Sequence, residues 1–318
     1  MRISLVLRPL SEERMQMAKQ IGVTDIDTTL SQDPKMGPVW DFNALIQHRK
    51  TIEDAGLVWS VVESVPITDR IKLGLDGRDE DIENYCQTIR NLGAAKIPIM
   101  CYNWMPVFNW LRTSVSTRTR GGALATSYDH ELMKDAPLTE YGEVSEELLW
   151  ETLEYFLKRV IPVAEEAGVQ QAMHPCDPPL SPIRGIARIM TSVENFERML
   201  DLVPSDYSGV TFCQGNFAAM GANVPDTIRS FGKNNKIFFA HFRDIKGTVP
   251  KFEEAFHDDG DSDMAECMRA YRDIGFEGPI RPDHVPTIAG EPNDPPGYTL
   301  LGRLYAVGYM KGLLDGIA

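Results

Sequence analysis

Short apolar runs alternate with longer amphipathic stretches along almost the whole chain, and this alternation limits the fold more than any other feature of the sequence. Ile3–Leu7 reads as a strand and Glu12–Ile21 as a helix. Val23–Asp27 is a weak strand followed by a polar loop, and Phe42–Ala55 is a helix. Strands at Val58–Val62 and Ile97–Tyr102 flank a helix at Glu80–Leu92. Glu146–Ala167 is a long helix, with Leu149, Leu153, Phe156, Val160 and Val163 at helical spacing. Strands then follow at Gln170–His174, Ser208–Cys213, Lys236–Phe242 and Pro279–Asp283. Helices at Val193–Leu202, Pro225–Phe231, Met264–Ile274 and Leu300–Leu314 separate them and close the chain.

The pattern amounts to about eight βα units, and strands alternating with helices build a parallel sheet. The chain has 318 residues, which suits a closed barrel of roughly 250 residues carrying insertions. The expected fold is therefore an α/β (β/α)8 TIM barrel, one domain spanning residues 1–318 with no repeat and no interdomain linker. The rival is an open doubly wound sheet, which announces a nucleotide with a glycine-rich turn after its first strand. Here that turn reads Arg8-Pro9-Leu10-Ser11. No nucleotide cofactor is expected.

One connection breaks the rhythm. Asn103 to Tyr141 shows no clear periodicity, whereas ~12–15 residues is already long for an unstructured loop in a compact domain. In a barrel this insertion, about residues 103–145, follows the fourth strand on the face where such folds place their chemistry. It carries Trp104, Phe108, Trp110, Arg112, Arg118, Arg120 and Gly121-Gly122. It reads equally as a lid bearing basic residues and as a contact between copies in a homo-oligomer.

Thirty-two basic against 46 acidic residues give a formal charge of −14. Such a surface repels nucleic acid and anionic lipid, yet one locally basic site can still take a small anionic substrate. The N-terminal apolar run is too short for a signal peptide, and no segment approaches the ~20 apolar residues that cross a bilayer. Five irregularly spaced cysteines make no disulfide framework, which points to a reducing, cytoplasmic setting.

Four successive strands end in a metal-ligand residue: Ala-Met-His174, Thr-Phe-Cys213, Phe-Ala-His241 and Arg-Pro-Asp283. Barrel enzymes assemble their sites from strand C-termini, so these side chains converge although distant in sequence. Two imidazoles, a thiolate and a carboxylate suit a borderline divalent ion. Cys176 is either a further thiol ligand or a packed apolar group. Arg243, two residues beyond His241, shares its side of the strand and could grip a carboxylate. His284 adjoins Asp283 and could titrate near neutral pH. His257-Asp258-Asp259-Gly260 is either another metal cluster or a turn and helix cap. His48 and His130 read as surface histidines.

Longer motifs carry a family resemblance. Val62-Glu-Ser-Val-Pro66, Ile71-Lys-Leu-Gly74, Ile82-Glu-Asn-Tyr85 and Tyr102-Asn-Trp-Met-Pro-Val-Phe108 resemble segments of mannonate dehydratases. So do His174-Pro, Pro178-Pro179, His241-Phe-Arg243-Asp, Phe256-His257-Asp258-Asp259-Gly260 and Ile280-Arg-Pro-Asp-His-Val-Pro-Thr287. The resemblance runs from about Val39 to the C-terminus. It implies a metal-dependent barrel that uses Mn²⁺ or Fe²⁺ and converts D-mannonate to 2-keto-3-deoxy-D-gluconate. It places the metal ligands on His174, Cys213, His241 and Asp283 and the acid/base pair on His284 and Tyr298. Arg243, Asn103 and Arg8 become the substrate-binding candidates.

This sequence also departs from the family pattern. Arg8 is followed by Pro9-Leu10-Ser11 rather than Trp-Tyr-Gly. His174-Pro continues as Cys176-Asp177 rather than Asp-Asp, and Cys213 is followed by Gln-Gly-Asn-Phe where a Ser often follows the Gly. These changes leave the four ligands in place and touch substrate contacts. The leading expectation is a hydro-lyase acting on a sugar acid. The alternatives are a metal-dependent sugar isomerase or epimerase on the same fold, or an inactive sugar-acid binding barrel.

Overall fold

The computed structural model describes residues 1–28, 30 and 36–317, so part of the polar loop read after the second strand lies outside the described residues. Twelve strands occur among them: β1 (Arg2–Val6), β2 (Asp25–Thr28), β3 (Val58–Glu63), β4 (Ile99–Asn103), β5 (Ser114–Arg118) and β6 (Leu124–Asp129), then β7 (Gln170–His174), β8 (Ser208–Cys213), β9 (Ile237–Phe242), β10 (Ile245–Thr248), β11 (Lys251–Glu254) and β12 (Pro279–Pro282). Eight of them close a barrel in the order β1-β12-β9-β8-β7-β4-β3-β2. Neighbours pair in parallel all the way round. This is the (β/α)8 TIM barrel that the alternation predicts. Among the described residues no helix is long and apolar enough to cross a membrane.

The local sequence accounts for the elements. Every residue of β8 and of β9 is buried, as strands sandwiched between a filled interior and an outer helical layer must be. Val61, Ile99, Cys101, Ala172, Phe238 and Phe239 fill the barrel interior. The helix Glu146–Ala167 starts where the Ser145 hydroxyl accepts from the Leu148 N–H and stops at Gly168, whose φ of 70° suits glycine. It buries Leu149, Leu153, Phe156 and Val160 against the barrel.

The sequence reading missed a second sheet. β5 and β6 form a hairpin within the insertion, β10 and β11 form another after β9, and they join in the antiparallel order β10-β11-β6-β5. The stretch without visible periodicity thus contains two paired strands. Its strands are short, and β5 is mostly exposed. The two hairpins are joined only by β6 pairing with β11 more than a hundred residues away, as in Phe252 opposite Tyr128, a partner that no local pattern announces. Tyr128, Ile183, Ala219, Ile245 and Phe252 form a small apolar core beneath this sheet, which sits beside the catalytic end of the barrel.

Candidate metal centre and active-site cavity

His174, Cys213 and His241 project from the C-terminal ends of β7, β8 and β9, and one potential ligand atom from each lies within 4.8 Å of the other two. Asp283, just past the end of β12, completes the group. Its Oδ2 is 3.7 Å from Cys213 Sγ and 3.6 Å from His241 Nδ1. The four side chains that the sequence predicts as ligands therefore do come together.

Neighbours orient the two imidazoles. His174 donates its Nδ1–H to the Pro175 carbonyl at 2.7 Å, which leaves Nε2 with the lone pair. His241 donates Nε2–H to Glu63 Oε1 at 2.9 Å, leaving Nδ1 buried and without a hydrogen-bond partner. A buried, unpaired ring nitrogen among a thiol, a carboxylate and a second imidazole is costly unless something binds it. The donor set and this orphaned nitrogen fit a divalent cation. Burial opposes the charged forms here, but Asp283 and Cys213 hold the His241 imidazole well above the usual histidine range, against Arg281. Burial likewise opposes an ionised Asp283, yet His284, Arg281 and His241 hold its carboxyl well below the carboxylate range.

Glu63, Arg281 and Asp27 were not singled out from the sequence. Arg281 contacts Asp27 at 3.1 Å, Glu63 at 3.0 Å and Asp283 at 2.8 Å, so one guanidinium supports both Asp283 and the partner of His241. The signal was present in outline: each is a charged residue in a short strand whose other positions are apolar or buried. Charge on a barrel strand marks the interior or the catalytic rim.

A second buried network lies alongside. Arg112, from the insertion, contacts Glu254 of β11 at 2.6 Å and Asp177 at 3.0 Å. Arg243 donates through Nη1 to Asp177 and Glu254, both at 3.2 Å, and through Nη2 to Asn216 at 2.8 Å. Gly215 permits this approach, since a Cβ there would stand 2.2 Å from Arg243 Nε. Arg243 is fully buried and absent from the cavity wall. The expected grip on a substrate carboxylate is thus not the contact this arginine makes. β9 ends at Phe242, so the alternation that put Arg243 beside His241 no longer applies, and protein carboxylates satisfy its guanidinium.

His284 and Tyr298 meet at the same cavity. The strand ends at Pro282, which frees His284 from strand alternation and lets it line the cavity together with Asp283. His284 Nε2 is 3.1 Å from the Tyr298 hydroxyl, which is 3.4 Å from Asp283 Oδ1. His284 Nδ1 is 2.9 Å from Glu254 Oε1. Arg243 Nη1 lies 2.6 Å from the same nitrogen, but its two hydrogens serve Asp177 and Glu254. With Nδ1–H donating to Glu254, Nε2 would carry the lone pair toward Tyr298. Trp110, from the insertion, meets the His284 ring edge-on with centroids 5.1 Å apart.

The cavity has a volume of about 520 Å³. Asn103 lines it, and its Oδ1 accepts from the Met105 N–H at 3.1 Å. Arg8 is exposed and outside the lining, with its guanidinium carbon 5.9 Å from the centre of the Tyr298 ring. Cys176 is fully buried, its Sγ 3.9 Å from the Trp104 carbonyl, and packs away from the ligand group. His257 donates Nε2–H to the Phe242 carbonyl at 2.6 Å, while Asp258 pairs with Arg120 and Asp259 with Lys246. That motif is a tied-down turn. His48 packs edge-on to Trp59, His130 bonds Tyr128, and neither lines the cavity.

A closed barrel with imidazole, thiol, carboxyl and phenol side chains converging at the C-terminal ends of its strands defines a TIM-barrel enzyme with a candidate metal centre. Residues 10–140 and 134–318 match the D-mannonate dehydratase (UxuA) family. The chain belongs to that family. It is 42% identical to the mannonate dehydratase of Thermotoga maritima, over 95% of this chain and 93% of that one. It is 39% identical to mannonate dehydratase 2 of Halalkalibacterium halodurans, over 98% and 97%. The crystal structure of mannonate dehydratase from Streptococcus suis serotype 2 superposes with a TM-score of 0.92 at 35% identity, covering 99% of this chain and 94% of that one. A D-tagatose 3-epimerase-like protein, at 13% identity and a TM-score of 0.66 with 100% and 98% covered, shares the fold alone.

Proposed function

We propose that the chain is a metal-dependent hydro-lyase that converts D-mannonate to 2-keto-3-deoxy-D-gluconate and water. One observation carries this reading: His174, His241 and Asp283, with Cys213 buried against them, and a His284–Tyr298 pair at 3.1 Å gather at a single cavity large enough for a six-carbon acid. Membership of the family points the same way. His174, Cys213, His241 and Asp283 would hold the ion, Mn²⁺ or Fe²⁺, which supplies Lewis-acid polarisation of substrate oxygens when bound. Four protein ligands leave room for substrate on an ion that accepts six.

The remaining chemistry belongs to the side chains. Dehydration breaks the C2–H bond α to the carboxylate and the C3–O bond. Glu254 accepts from His284 Nδ1, and so keeps the Nε2 lone pair available to take the C2 proton. The Tyr298 hydroxyl gives its proton to the departing C3 hydroxide, which leaves as water. His284, now protonated and in contact with Tyr298, returns a proton to the phenolate. The enol that forms rearranges to the 2-keto-3-deoxy acid. Trp110 packs over His284 from the insertion and helps to exclude bulk water, in keeping with a roof or lid.

The test is to incubate Mn²⁺-loaded protein with a panel of aldonates and to assay for 2-keto-3-deoxy acids. Product from D-mannonate above the other acids is expected. Recovery of an epimeric or isomeric sugar acid without loss of water would replace the dehydratase reading with an isomerase or epimerase. Binding without any conversion would leave a sugar-acid binding barrel.

A further inference from the structure

The cavity wall contains a lysine that, among the described residues, forms no direct ion pair. Lys72 ends the short helix Asp69–Lys72, which Thr68 caps by accepting from the Ile71 N–H. Thr152 Oγ1 donates to the Lys72 carbonyl at 2.7 Å, so the backbone that carries the side chain is clamped. Lys72 is only 5% exposed and lines the same cavity as His174, Asp283 and His284. Its Nζ donates one hydrogen bond, 3.1 Å long, to the Met105 carbonyl. An ammonium has three donors, and among the described residues no carboxylate comes within ion-pairing distance of this one.

The other strong cations nearby are spoken for. Arg281 also lines the cavity, but Asp27, Glu63 and Asp283 surround it. Arg112 and Arg243 face Asp177 and Glu254 and lie outside the wall. A buried, unpaired ammonium is expensive, and in a ligand cavity the missing counter-charge is naturally the ligand's.

We propose that Lys72 binds the carboxylate of the substrate and thereby selects sugar acids over neutral polyols. The proposal rests on the sugar-acid reading above and adds the residue that recognises the acid. Burial pushes the ammonium down to about 8, with Asp69 and Cys176 raising it and Arg188 lowering it further. A bound carboxylate would restore its charge. It follows that discrimination in favour of acids weakens as the pH rises through about 8.

The experiment measures binding of D-mannonate and of D-mannitol, the same carbon chain without the carboxylate, to metal-loaded wild type, Lys72→Met and Lys72→Gln by calorimetry. Metal content and thermal unfolding establish that each variant is folded, and the glutamine variant keeps a polar side chain should methionine pack poorly. Wild type should prefer the acid. Both variants should lose about 10- to 100-fold in affinity for D-mannonate, the value of one charge-assisted hydrogen bond, with D-mannitol binding unchanged. The pH dependence of the preference near 8 should vanish with the lysine. Equal losses for acid and polyol, an undiminished preference in the variants, or no preference in wild type would each overturn the proposal. Turnover is scored separately. If wild type forms no product from D-mannonate while the lysine-dependent preference for the acid holds, the dehydratase reading fails and this one stands.

Discussion

Glu63→Gln removes a single negative charge directly behind the candidate metal centre. Glu63 Oε1 accepts from His241 Nε2 at 2.9 Å and from Arg281 Nη2 at 3.0 Å, and Oε2 accepts from Arg281 at 3.2 Å. Burial favours the neutral acid, but Arg281 and the His241 hydrogen bond hold the carboxyl well below the carboxylate range, so glutamine changes the charge at neutral pH. The amide oxygen can keep the contact with His241. The amide N–H₂ then faces Arg281, donor against donor in a buried site. Arg281, already 2.8 Å from Asp283 Oδ1, leans more on Asp283 and competes with the cation for that carboxylate. Loss of such a supporting carboxylate typically costs 10- to 100-fold in metal affinity, about 1.4 to 2.8 kcal/mol. Competition with a fluorescent chelator for Mn²⁺ measures it. Because Glu63 takes no proton from substrate in this mechanism, saturating Mn²⁺ should restore most of the turnover. Unchanged metal affinity, or turnover that stays lost at full occupancy, would refute the reasoning.

His284→Ala and Tyr298→Phe should keep the metal and lose at least ~10²-fold in turnover. Exchange of the C2 hydrogen with solvent deuterium should survive in Tyr298→Phe alone, and wild-type turnover in that variant would remove Tyr298 from the chemistry. Burial lowers His257 from 6.5 to about 4, so its stabilisation is complete above pH 6.5 and is lost as the pH falls toward 4. At about 1.4 kcal/mol per pH unit, this amounts to about 3 kcal/mol at most. Thermal melts of His257→Gln, which can still donate to the Phe242 carbonyl, should show a flatter decline between pH 6.5 and 4 than wild type, and parallel declines would count against it. Protease cleavage between Asn103 and Tyr141 should slow when a sugar acid binds, since Trp110 of that segment lines the cavity. Equal cleavage in both states would favour the oligomer-contact reading.

The barrel was legible because each strand that must be buried on both faces is written as a short apolar run, as in Phe238-Phe239-Ala240. The positions of His174, Cys213, His241 and Asp283 followed from one rule, that barrel side chains at strand C-termini converge. That rule is silent once a strand has ended. Arg243 stands one residue beyond β9 and, although 3.4 Å from Asp283, gives its guanidinium to Asp177 and Glu254 as well and does not reach the cavity wall. The rule also cannot rank a supporting carboxylate such as Glu63 against a ligand, because both are charged residues at strand ends. Glu254 was hidden more deeply. It reaches His284 only because β11 pairs with β6, and no local pattern in Lys251–Glu254 encodes a partner in Leu124–Asp129. Lys72 gave no signal of its own, since a lysine ending one helical turn is ordinarily solvated. Its burial comes from tertiary packing of Met105 and Thr152 around it. Tyr298 lies in a loop without periodicity, and only the family resemblance pointed to it.

The most direct test of the account is elemental analysis of divalent metal per chain, with turnover of D-mannonate measured on the same samples, for wild type and for His174→Ala, Cys213→Ala, His241→Ala and Asp283→Ala. The account predicts one ion per chain in wild type, loss of most of it in each variant, and turnover that falls with it. Cysteine must shed a proton to bind, so wild-type occupancy should also fall as the pH is lowered. Full occupancy with intact turnover in Cys213→Ala, or a wild type that turns over D-mannonate equally well after chelation, would contradict it.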